Sequence, residues 1–80
     1  MSLRIIVKSD QIQNWIIERD GVPVCRRDTD ADLAVLFDGE KPEYETLSFD
    51  DLIETMRLNH LVLLVDQEAD KKFHKFVQHG

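Results

Sequence analysis

Three aspartates at alternate positions, Asp28, Asp30 and Asp32, open the stretch DTDADLAVLFDGE, and carboxylates spaced in this way form the first half of an EF-hand calcium loop. Such a loop also needs Gly at its sixth position for the sharp turn and a bidentate Glu at its twelfth. Counted from Asp28, those positions hold Leu33 and Gly39, and Glu40 comes one residue late. The apolar run LAVLF would also have to leave the core to wrap an ion. A dedicated calcium site is not expected. The same residues read better as a helix start, with Thr29 as N-cap and Asp30 and Asp32 favoured by the helix dipole. Leu33, Leu36 and Phe37 would then share one face, and Gly39 would lie just past the end. A strand carrying Leu33, Val35 and Phe37 on one face competes. Cap, stripe and terminal glycine agree with one another, so a helix over 30–38 is the expectation.

Cys25 precedes Arg26 and Arg27, and neighbouring cations lower a thiol pKa. Strand alternation puts Cys25 on the face of Pro23 and Arg27, opposite Val22 and Val24, a face expected to be partly wet. Nucleophilic catalysis also requires a positioned base, and none is near in sequence. His60, His74 and His79 lack the spacing of a zinc site; Asp70 and His74 could hold one another at i,i+4 of a last helix, and His60 reads as a residue at a helix C-terminus. No Gly-rich phosphate loop or nucleophile elbow is present in a chain with three glycines. These patterns lead to the expectation of a non-enzymatic protein with no metal and no cofactor, a thiol-dependent protein using Cys25 being an alternative.

Carboxylates are the remaining chemistry. The chain has 80 residues and net charge −6. Residues 1–27 are net +2 and residues 55–80 net +1, whereas residues 28–54 hold ten acids and the single base Lys41, net −9. Such a field repels nucleic acid and attracts basic proteins. The expected function is therefore an adaptor or inhibitor contacting a basic protein, such as one that handles nucleic acid, through the acidic 28–54 segment. The candidate contact residues are Asp38, Glu40, Glu43, Glu45, Asp50, Asp51 and Glu54. Direct nucleic-acid binding is not expected, because Lys71, Lys72 and Lys75 make only a modest basic patch. Homodimerisation through an edge strand is the structural alternative.

The elements that must position these residues follow from periodicity. Leu3, Ile5 and Val7 alternate with Arg4, Ile6 and Lys8, the period of a strand. IQNWIIER is rich in β-formers and is separated by Asp20-Gly21 from VPVCRR, which predicts a β-hairpin with a type I′ turn. Pro23 lacks an N–H, so VPVCRR should be an edge strand or should turn that residue away from its neighbour. In LSFDDLIETMRLN, Ser48 is a good N-cap, Leu47 and Leu52 form a hydrophobic staple, and Phe49, Leu52, Ile53 and Met56 make one apolar stripe that Asn59 can close. Tyr44 to Leu47 can form a short strand. LVLLV reads as a central strand near 61–65. Asp66 then caps QEADKKFHKFVQ, whose Ala69, Phe73, Phe76 and Val77 share a helical face, with Glu68 and Lys72 as an i,i+4 pair.

Together these predict an α+β chain forming a single domain over 1–80, with two or three helices on a mostly antiparallel sheet. One cysteine excludes an internal disulfide, and with no apolar leader at the start a cytoplasmic setting is the expectation. The longest apolar runs, LAVLF and LVLLV, are too short to span a membrane.

Overall fold

The computed structural model describes residues 2–28, 32–68 and 70–79. Its elements run β1(Leu3–Ile6), α1(Ser9–Glu18), β2(Val22–Arg26), β3(Leu33–Leu36), β4(Tyr44–Thr46), α2(Phe49–Leu58), β5(Leu61–Asp66) and β6(His74–Gln78). They form two antiparallel three-stranded sheets, a terminal sheet ordered β1-β5-β6 and a middle sheet ordered β3-β2-β4. The fold is thus α+β, with two helices.

Several local expectations hold. Ser48 accepts the Asp51 N–H at 3.1 Å, capping α2, and Leu52 and Met56 of its stripe are buried. β5 is central in its sheet, as its continuous apolar run requires. Asn59 closes α2, and His60, in the left-handed region at φ 55°, follows with its N–H donating to the Arg57 carbonyl.

Three others do not. The predicted N-terminal hairpin is a helix followed by a strand. Ile12, Trp15, Ile16 and Arg19 fall at i, i+3, i+4 and i+7, a buried stripe that outweighs the β preference of IQNWIIER. Asp20 and Gly21 terminate that helix. Asp20 takes φ 55° and donates to the Ile17 carbonyl, and the Gly21 N–H reaches back to Ile16 at 2.9 Å, a Schellman arrangement. The helix expected over 30–38 is strand β3, paired with β2 in the register Val22↔Leu36 to Cys25↔Leu33. Its proposed cap Thr29, with Asp30, lies outside the described residues. The last helix is strand β6, paired with β5 from Leu61↔Gln78 to Val65↔His74. Asp66 does cap there, but its carboxylate accepts the Glu68 N–H to start a turn. Asp70 and His74, and Glu68 and Lys72, are therefore not neighbours on a helix; Ala69 lies outside the described residues.

Pro23 sits in the central strand of its sheet, so VPVCRR is not an edge strand, and the other half of that expectation, a proline whose missing N–H faces no ladder partner, is what the structure has. The ladder tolerates it because Pro23 makes a non-hydrogen-bonded pair with Val35 and only its carbonyl is used on the other side, by the Leu47 N–H just past β4. On its far side the Val35 N–H donates instead to His74 Nε2 of β6 at 3.2 Å, and His74 Nδ1 lies 3.1 Å from the Lys72 carbonyl, to which it donates. One imidazole thereby joins the two sheets where β3 and β6 run side by side. It lies among the rings of Trp15, Phe37 and Phe76, at centroid separations of 5.6–6.1 Å.

Both helices pack on the same side of the sheets. Ile12, Trp15 and Ile16 of α1 and Leu52 and Met56 of α2 share one core with Ile6, Leu63 and Val65 of the terminal sheet and Cys25, Leu33 and Val35 of the middle one. The overall dimensions, 33 × 31 × 19 Å, fit a layer of helices on a layer of sheet. Arg19 closes the end of this core. Its guanidinium lies 4.3 Å from the Trp15 ring centre and donates to the carbonyls of Trp15, Asp66, Gln67, Glu68 and Lys71, pinning the β5–β6 turn.

Candidate functional site

The acidic segment is carried by β3, β4, their connection and the start of α2. At one end of the β2–β3 pair, Arg26 takes Asp28 at 3.6 Å and Asp32 at 3.7 Å, so these two carboxylates are tied to β2. β4 then brings Glu45 directly opposite Cys25, on the face that looks toward α2. Glu43 lies two residues earlier, its carbonyl taking the Arg27 N–H.

From the other side α2 contributes Asp51 and Glu54. With Cys25, Leu47, Thr55, Leu58 and Asn59 they line a cleft of about 390 Å³. Glu54 is ion-paired with Arg57; the hydrogen bond between them and the charge of Arg57 lower the Glu54 carboxyl pKa, and the same hydrogen bond and the Glu54 charge raise that of the guanidinium. Among the described residues, Glu43, Glu45, Asp50 and Asp51 have no cationic partner. Of the seven candidate contact residues, Glu45, Asp51 and Glu54 are brought to one side of the middle sheet, with Glu43 and Asp50 flanking. Asp38 and Glu40 are not; they belong to the connection after β3, and Glu40 borders a cleft on the opposite face.

Cys25, expected on a partly wet face, is 6% exposed. The reason is α2: residues on the Cys25 face look onto the helices, and the thiol is part of the core. Leu58, by contrast, is 65% exposed at the rim of the same cleft. Among the described residues, no group of three or more His, Cys, Asp and Glu side chains comes together in a metal-binding arrangement.

Sequence reasoning missed the second cleft, on the other face of the middle sheet. It measures about 600 Å³ and is bordered by Val22, Val24, Leu36 and Tyr44 and by the charged Arg27, Glu40 and Lys41. The signal available was Lys41, the one base among ten acids.

No family model matches the chain, and neither does any curated protein or solved structure. No helix among the described residues is long and apolar enough to cross a membrane.

Proposed function

We propose that this is a small non-enzymatic binding protein, an adaptor or inhibitor, that docks a basic protein on the strip formed by β4 and α2. The supporting observation is the cleft that Asp51 and Glu54 line together with Cys25, Leu47 and the exposed Leu58, with Glu45 paired opposite Cys25 on β4. Lysines or arginines of the partner meet the carboxylates, and an apolar side chain rests on Leu58 and Leu47. Glu43, Glu45, Asp50 and Asp51 have no cationic partner among the described residues, so their charge is open to a basic partner, steers the encounter and selects the partner.

The test starts from capture in native lysate at low salt, followed by calorimetry with the purified partner. Binding should weaken steeply as salt rises, and the triple reversal E43K/E45K/D51K should abolish it. Affinity indifferent to both salt and charge reversal overturns the reading.

Self-association is the second reading, now through a sheet face, because β2 is not an edge. The terminal sheet turns Leu3 and Ile5 outward on β1, with Phe73, the residue before β6, on the same face across β5, and all three are about half exposed. A dimer in sedimentation that grows with concentration and persists at high salt would favour this reading; a monomer at high concentration removes it.

A further inference from the structure

The face of the middle sheet that turns away from the helices carries a cleft of its own. Because Cys25, Leu33 and Val35 point into the core, alternation sends Val22, Val24, Leu36 and Tyr44 to the other side. No helix covers them. Val24 is nevertheless only 2% exposed, because it lies at the floor of the 600 Å³ cleft whose wall is the Gly39–Pro42 connection. Gly39, at φ +96°, makes the turn that brings this wall round. The volume lies within the range of small-molecule sites, and the composition matches one: an apolar floor with a few charged groups at the mouth.

The mouth carries more positive than negative charge. Arg27 and Lys41 border it against the single carboxylate of Glu40. Arg27 Nε donates to the Pro42 carbonyl at 2.9 Å, which orients the guanidinium. Its terminal nitrogens have no partner among the described residues. A planar fork of N–H groups fits a carboxylate in two-point contact. We propose that this cleft binds a small amphipathic carboxylate, its apolar chain or ring on Val22, Val24, Leu36 and Tyr44 and its carboxylate between Arg27 and Lys41. This site is separate from the acidic strip, which lies on the opposite face of the same sheet.

Octanoate and its uncharged counterpart 1-octanol are suitable probes, followed by amide NMR of the full chain. Octanoate should produce saturable shifts at Val22, Val24, Leu36, Gly39 and Tyr44, and bind about fivefold more tightly than octanol, the size of one partly solvated ion pair. The R27Q/K41Q variant should lower octanoate affinity to that of octanol and leave octanol unchanged, and E40Q should tighten octanoate. The spectra themselves report whether each variant is folded. Shifts centred on Ile5, Leu64 and Phe73 of the terminal sheet, equal affinities for the two probes, or no saturable shift would each overturn the assignment.

Discussion

Replacing Arg19 with Met tests how the core is closed. Arg19 is 8% exposed, and its guanidinium reaches the Lys71 carbonyl at 2.7 Å, the Glu68 carbonyl at 2.8 Å and the Trp15 carbonyl at 3.1 Å, with longer contacts of 3.4 Å to Asp66 and Gln67. Hydrogen bonds from a charged donor contribute about 1.5–3 kcal/mol each. The turn carbonyls of Glu68 and Lys71 can recover water when the guanidinium is gone, so the two short bonds to them together are worth about 2–3 kcal/mol. Loss of the cation from the Trp15 face adds about 1 kcal/mol, and the methionine side chain keeps part of the packing. The expected destabilisation is therefore about 3 kcal/mol. A domain of this size has roughly 4–12 kcal/mol in all. In urea, with a slope of about 1 kcal/mol/M, the midpoint should fall by about 2–3 M at unchanged slope. Arg19→Lys should recover only part of the loss, since an ammonium cannot span Trp15, Glu68 and Lys71 at once. Amide exchange should quicken first between Asp66 and Phe73. A change below about 0.5 kcal/mol, typical of a surface arginine, would refute the clamp.

Three further substitutions probe other joints. Gly21→Ala would place a Cβ 2.7 Å from Val35 Cγ1 and 3.0 Å from Phe37 Cε1, and should cost about 1–3 kcal/mol in thermal unfolding; an unchanged melting temperature counts against that packing. His74→Phe keeps a ring among Trp15, Phe37 and Phe76 but removes the acceptor of the Val35 N–H, for a loss of about 1–3 kcal/mol and faster exchange of that amide. Unaltered exchange at Val35 would mean that the imidazole does not join the sheets. Arg57 lowers the Glu54 carboxyl pKa, so the pair's contribution is present above the ordinary glutamate range and is lost as pH falls through the lowered value. Arg57→Gln should raise the Glu54 midpoint in a carboxyl NMR titration, and a midpoint that stays put would show the pair to be absent in solution.

The candidate sites were legible in unequal measure. The excess of carboxylates in 28–54 is plain in the sequence, but their division is not. Arg26 takes two of them because β2 and β3 pair, and Glu40 parts from Glu45 because the connection after β3 carries it to the other side of the sheet. Cys25 looked accessible for a related reason. Alternation gave its face correctly relative to Val24, but only the position of α2 decides which face is covered.

What the sequence determined by itself is local and strongly patterned: the α2 helix, with its cap and four-residue stripe, and the β5 strand, an apolar run too uniform for a surface. Elsewhere the periods of helix and strand overlap over short stretches, since residues at i and i+4 share a face in both. Ile12 and Ile16, Leu33 and Phe37, and Phe73 and Val77 all satisfy both patterns. Long-range contact made the choice: β6 is a strand because β5 offers it a free edge, β3 because β2 does, and α1 a helix because its stripe fills the core shared by both sheets. Local preferences differ by only a few tenths of a kcal/mol per residue, less than the burial of one Ile16 or Trp15, so tertiary packing outweighs them.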